Sequence, residues 1–252
     1  MSEVEVYVDI PEPSGTKNIT ENGTYNIASY ASVNVNVQSG GDTFATDYAY
    51  TKSILSNWDS SQTSMQSMFS SDANLKYMPV VDTSNVTTVS SAFTSCSNLI
   101  YVPELNFAEA TLMNNTFYGC SKLIYIGDLN TPKVTNTSTM FYGCSSLIEA
   151  PMMDLSEATS IQTMFRDCTN LVTIPLYNTV KAKTSLNNFV TNCPNLSNES
   201  LNNILAMCTM SAVTSSTNKT LKKVGLSSTQ ATTCQTLSNW SAFAAAGWTT
   251  GY

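Results

Sequence analysis

Between residues 67 and 196, apolar positions recur with a fixed period. Phe69, Phe93, Phe117, Phe141, Phe165 and Phe189 lie 24 residues apart. Three residues after each comes a second column: Asp72, Cys96, Cys120, Cys144, Cys168 and, after a one-residue insertion, Cys193. Three further on stand Leu75, Leu99, Leu123, Leu147, Leu171 and Leu196. Met78, Val102, Ile126, Ala150 and Ile174 follow, usually with a proline behind them (Pro79, Pro103, Pro151, Pro175), and Gly127 breaks that set. The unit is F-x-x-C-x-x-L-x-x-(I/V)-P. A fixed period of this length predicts a solenoid, in which each repeat buries its apolar face only by stacking on its neighbours. The segment L-x-x-(I/V) predicts one short strand per repeat, ended by a proline that cannot donate to a ladder. The stretch before it, such as 139–144, predicts a short helical or 3₁₀ turn that carries phenylalanine inward. The phenylalanine and cysteine columns are thus the expected structural core.

Terminal repeats expose an apolar face and need caps. Residues 42–66 hold Tyr48, Tyr50, Ile54, Leu55 and Trp58 and predict a helical N-terminal cap ahead of repeats over 67–196. Residues 197–252 predict a helical C-terminal cap. In it, Leu201, Ile204, Leu205 and Cys208 have helical spacing behind Asn198 as N-cap. Leu221–Leu226 reads as a last repeat strand, with helices over 228–237 and 238–246 after it. Residues 1–41 differ. Val4, Val6, Val8 and Ile10 alternate with polar residues, as do Val33, Val35 and Val37, and Asn22-Gly23 between the two runs is a turn signal. Ser39–Asp42 reads as a flexible linker. The fold expected is mainly β with short helices: a repeat solenoid, a small N-terminal β module and a helical C-terminal cap.

Composition narrows the chemistry. The chain has 252 residues, a net charge of −7, 12% charged residues and no histidine, while Ser, Thr and Asn account for 93 residues. Without histidine there is no Ser-His-Asp or Cys-His catalysis and no histidine-ligated metal. Eleven cations in an acidic chain make a poor nucleic-acid binder. No apolar run approaches the roughly 18 residues of a membrane helix. The N-terminus MSEVEVYVDIPEP has neither a cationic start nor an apolar run, so the chain is expected to be made in a cytoplasm and to leave it only by lysis or a dedicated machine.

Two resemblances arise from these motifs. The F-x-x-C-x-x-L pattern over about residues 60–200 resembles BspA-type leucine-rich repeats, found on bacterial surface proteins and in phage genomes. The string Ile19–Val37 resembles a β segment that recurs in structural proteins of phages and prophages. A module below about 40 residues is rarely stable alone, which suits an anchor completed by a larger assembly. The resemblances imply a non-enzymatic protein of the virion surface: a head fibre, decoration protein or receptor binder. Val4, Val6, Val8, Ile10, Val33, Val35 and Val37 would dock it on other virion proteins, and the class implies a homo-oligomer. A bacterial cell-surface adhesin is the alternative reading.

Three columns carry candidate chemistry. Cys96, Cys120, Cys144, Cys168 and Cys193 could form a disulfide or metal ladder, but equivalent residues of stacked repeats have parallel Cβ vectors about 4.8 Å apart, a poor disulfide geometry. Buried thiols are expected, with no metal and no cofactor. Asp82, Asn106, Asn130, Asp154 and Asn178 suit Asx-turns better than calcium, since only two are charged. Tyr77, Tyr101 and Tyr125, continued by Glu149 and Thr173 and flanked by Ile100, Ile124, Ile148 and Val172, form a ladder that could bind a host glycan or protein. Lys222 and Lys223 would add charge at one end of that face. No pair of carboxylates facing each other across a cleft stands out, which leaves a glycan-degrading enzyme as the least expected reading.

Overall fold

A computed structural model describes residues 6–12, 15–19, 38–39, 42–43, 55, 58 and 61–252, apart from 180, 182–185 and 216–217. It is built of short strands, turns and short helices, arranged as tandem repeats. Equivalent residues of successive repeats pair in parallel along three rows, not the single strand per repeat expected. One row runs Ser64–Thr88–Leu112–Asn136–Ser160. A second contains Tyr77 and the strands β5 (Tyr101–Val102) and β7 (Tyr125–Ile126). The third contains β6 (Leu105–Asn106) and β8 (Leu129–Asn130), with Leu129 paired onward to Met153.

The phenylalanine segment is not a helix. Alternate N–H groups close turns within the repeat, such as Tyr118 to Asn115 O and Cys120 to Phe117 O. The N–H groups between them donate to the next repeat, as Asn115 does to Ser138 O, Phe117 to Met140 O and Gly119 to Tyr142 O. These bonds satisfy Asn115, Phe117, Tyr118, Gly119 and Cys120 N–H without a helix. The cost is two left-handed residues per repeat, at φ between 54° and 75°: one column is Ser67, Ser91, Asn115, Thr139, Thr163 and Asn188, the other Ser71, Ser95, Gly119, Gly143, Asp167 and Asn192. Small polar residues and glycine tolerate this region best, which accounts for both columns.

Inside, Phe69, Phe93, Phe117, Phe141 and Phe165 stack at 5.1–5.4 Å with ring planes within 17° of parallel. Phe189 meets Phe165 edge-on at 83°. The backbone explains the change. Lys181 still lies 24 residues from its partner Glu157, whereas Asn187 accepts from Thr163 where a strict period would use residue 186. The inserted residue thus falls between 181 and 187, not between Phe189 and Cys193. Val190 takes the backbone position of the phenylalanine column, and Phe189 fills the position of Met164, still fully buried.

The cysteine column is free thiol throughout. Cys96, Cys120, Cys144, Cys168 and Cys193 each donate from Sγ, at 2.9–3.1 Å, to the carbonyl of the phenylalanine one repeat earlier. That carbonyl already accepts one N–H, and the thiol occupies its second lone pair in the core. The Asx column turns the chain as expected at Asp82, Asn106 and Asp154, whose Oδ1 accepts the N–H two residues on.

The C-terminal cap answers the open edges of the last repeat. Helix α1 (Asn198–Met210) has Ser197, not Asn198, as its N-cap. Ser200 Oγ donates to Val172 O and accepts from Ile174 N, and Asn203 Nδ2 donates to Ile174 O. Leu221–Leu226 is not a repeat strand: Leu221–Val224 is helix α2, ended by Gly225 at φ 100°. Its carbonyls at Lys223 and Val224 accept from Asn188 and Val190, the turn donors of the final repeat. Helices α3 (Ser228–Cys234) and α4 (Trp240–Ala245) complete the cap.

At the N-terminus β1 (Val6–Glu12) pairs antiparallel with β2 (Gly15–Ile19), with Val8 opposite Lys17. β3 (Gln38–Ser39) pairs with β4 (Asp42–Thr43), so the expected linker carries a two-residue ladder. Val6, Val8 and Ile10 lie on β1. Val4, Val33, Val35, Val37 and the Asn22-Gly23 turn lie outside the described residues, as do Tyr48, Tyr50 and Ile54 of the expected N-terminal cap. Of that cap, Leu55 joins the core and Trp58 donates from Nε1 to Asp82 O.

Candidate functional site: a tyrosine-lined acidic groove

At the second strand row and the bend that follows it, aromatic rings, carboxylates and a concavity coincide. Each repeat leaves its buried Met/Val/Ile column through Pro79, Pro103, Pro151 or Pro175 and turns outward. At the third repeat Gly127 stands in the proline position. A Cβ there would lie 2.3 Å from Glu104 N, so only glycine permits the approach, and its N–H donates to Val102 O as a proline could not. The two sides of the bend become the walls of a groove along the repeats. One wall is the row Tyr101, Tyr125, Glu149 and Thr173; the other contains Glu104, Asp128 and Met152.

The row changes character along its length. Tyr77 is 3% exposed and belongs to the core, so this member of the expected ladder is not presented to a ligand. Tyr101 and Tyr125 are half-buried and stack at 5.3 Å with planes 10° apart. Pairing runs from Tyr77 through Tyr101 to Tyr125 and resumes at Glu149–Thr173. Where the next two rings would stand is a concavity of about 290 Å³, closed at its far end by Glu199 and Asn203 of α1. A shallower recess of about 340 Å³ adjoins it, sharing Glu104, Asp128 and Met152.

The electrostatics of the groove are one-signed. Glu104, Asp128, Glu149 and Glu199 line it, with neither lysine nor arginine among the lining residues. Burial pushes the Tyr125 phenol up from its ordinary value, and the charges of Asp128, Glu104 and Glu149 push it further in the same direction. Asp128 is also structural, accepting from Met152 N through Oδ1 at 2.9 Å. Behind the floor, the buried Tyr177 hydroxyl donates to Pro151 O at 2.7 Å. Burial and the Asp128 charge hold that phenol well above its usual range. Met152, in the lining, is an exposed apolar side chain, and Ile124, Ile148 and Leu176, sequence neighbours of lining residues, are exposed as well.

The sequence pattern places Tyr101, Tyr125 and Glu149 in one row but does not bring Glu104, Asp128 and Glu199 to it. Glu104 and Asp128 share a 24-residue column, a periodic signal visible in the sequence. Glu199 arrives from the cap helix and has no repeat register to betray it. Lys222 and Lys223 do not extend this face. They sit on α2, which caps the phenylalanine turns, and Lys222 Nζ lies 5.4 Å from the Tyr252 ring centroid. The Tyr118–Tyr142 ladder, stacked at 4.9 Å and covered by Arg166 at 5.5 Å, is a separate surface feature. Among the described residues, no group of three or more cysteine, aspartate or glutamate side chains is placed to hold a metal ion, and no helix is long and apolar enough to cross a membrane.

A family model described as "Mycoplasma protein of unknown function, DUF285" matches three overlapping stretches of the chain, residues 18–123, 73–176 and 111–244. Overlapping placements of one model are the expected outcome for a tandem repeat. No curated protein and no solved structure matches.

Proposed function

The chain belongs to the DUF285 family, and on that premise we propose that it is a non-enzymatic adhesive protein: a BspA-type leucine-rich-repeat solenoid carried on a bacteriophage virion as a head fibre, decoration or receptor-binding protein. The N-terminal residues dock it on other virion proteins, and the repeats present the groove to a host-surface glycan. The observation that carries the adhesive reading is the groove itself, lined by two stacked tyrosines and four carboxylates. Tyrosine supplies apolar area with a polar tip, the combination that recurs at recognition surfaces. The phage-like string at 19–37 supports the carrier. Deleting residues 1–41 should release the protein from purified particles, while the remaining chain still adheres to host envelope polysaccharide. Co-purification of the truncated chain at full occupancy would defeat the docking assignment.

A second reading draws on the same carboxylates. Glu104, Asp128, Glu149 and Glu199 surround one concavity, and glycan hydrolysis uses two carboxylates across a cleft. All four are solvent-exposed, whereas the acid of such a pair characteristically sits in an apolar pocket, which favours binding over cleavage. Release of reducing ends from host polysaccharide would reverse that preference. Recovery of the protein from washed cells rather than particles would move it to the bacterial surface as an adhesin.

A further inference from the structure

We propose that the concavity beyond Tyr125 is a receptor for the ammonium group of an amino sugar, one unit of a glycan lying along the groove. The inference rests on the reading of the repeats as a glycan-adhesive face and names the sugar chemistry that face selects.

The void has a specific origin. In the phenylalanine row each ring is covered by the next ring at 5.1–5.4 Å down to Phe165. In the tyrosine row the covering stops at Tyr125, because the next two positions are Glu149 and Thr173, and a concavity of about 290 Å³ lies there. That is near the lower end of ligand-pocket sizes, about 300 Å³, and suits one monosaccharide. A cation over a tyrosine face is attracted by the ring quadrupole. The carboxylates around that position add charge of the matching sign. The cations nearest in sequence are engaged elsewhere: Lys122 with Asn98 Oδ1, Lys133 with Glu109 and Lys181 with Glu157. Convergence of the field is read from Tyr125, whose phenol is raised by three of the four carboxylates as well as by burial.

Neutral sugars satisfy less of this site. Their hydroxyls would hydrogen-bond the carboxylates and leave the accumulated negative charge uncompensated, whereas an ammonium group supplies both donors and charge. Thr173 and Asn203 stand beside the carboxylates as uncharged partners for ring hydroxyls, with one Asn203 amide hydrogen held by Ile174 O. The exposed Met152 in the lining gives a neighbouring sugar unit apolar surface to lie against.

The test uses the full chain, titrated calorimetrically with glucosamine, N-acetylglucosamine and glucose at neutral pH and low salt. Glucosamine should bind, with the acetylated and neutral sugars at least about tenfold weaker. Glu149→Gln, isosteric at an exposed position, should weaken glucosamine about tenfold, the scale of one charged hydrogen bond. Glu149→Tyr should extend the ring row into the void and abolish binding with the thermal midpoint undiminished. Equal binding of all three sugars, or no binding of glucosamine, would overturn the proposal. Adhesion of the same chain to host envelope polysaccharide is measured in parallel. Adhesion without glucosamine binding defeats the inference alone, and absence of both defeats the adhesive reading with it.

Discussion

Two aromatic rows run through the same repeats, and they differ in how each ring is succeeded. On the phenylalanine side every ring is buried and backed by another, and every carbonyl that the turn leaves in the core meets a cysteine thiol. On the tyrosine side Tyr77 is buried, Tyr101 and Tyr125 are half-buried, and then the row gives way to Glu149 and Thr173. A phenyl ring has no polar atom, so it can repeat indefinitely inside a core. A phenol needs a partner for its hydroxyl, as Tyr177 finds in Pro151 O, or it must sit near water. An unbroken row builds stability, and an interrupted row leaves space. The repeat therefore sets an uninterrupted ring stack on one row and an open concavity on the other.

This contrast can be broken or sharpened by experiment. The largest effect belongs to Phe117→Ala, which removes a ring stacked on both sides and should lower unfolding free energy by about 3–5 kcal/mol in chemical denaturation. Tyr125→Ala, at a half-buried position beside a void, should cost clearly less; equal losses would erase the distinction between the rows. Next comes the alkaline limb. Burial pushes the Cys96 thiol up to about 11 and the Cys193 thiol up to about 12, from 9.0. With both raised in the folded state, their contribution is complete below pH 9 and lost as pH climbs through 11–12, because the unfolded chain releases its protons first. Melting temperature should fall across that window, and thiol reagents should react only as the protein unfolds. If the thiols react freely in the native state at pH 8, the cysteine column is not core.

Smaller effects probe the turn. Cys144→Ala should cost about 1–2 kcal/mol, combining a lost thiol donor with a small void, and Cys144→Ser should retain the donor. Thr163 is a β-branched residue held at φ 60°, where such residues are strained. Thr163→Gly should stabilise the protein by about 1 kcal/mol, with thermal denaturation as the measure; destabilisation would show that the hydroxyl or methyl has a packing role.

The periodicity carried much of this architecture. Columns spaced by 24 residues named the core residues, because stacking brings equivalent side chains together whatever the coil between them. The same spacing could not reveal the coil's own path. Left-handed residues in the phenylalanine turn replaced the expected helix, since serine, asparagine and glycine serve helix ends and left-handed turns alike. The insertion was misplaced because Phe189 preserves the letter of the pattern while Val190 preserves its backbone. Lys222 and Lys223 were assigned to the wrong face because Leu221–Val224 has too few residues to separate strand from helix by pattern. Glu199 could be assigned to the groove only after α1 was seen to cover the edge of the last strand row.

In the phenylalanine turns the inter-repeat backbone hydrogen bonds all point one way, from the N–H of one repeat to the carbonyl of the next, until α2 supplies the final acceptors. The array consequently has a polarity, and its two ends are chemically unlike. The joints between strict 24-residue units share this pattern, so a gene could lengthen or shorten the array by whole units ahead of the same helical terminator. The length of the array becomes a quantity that duplication alone can tune.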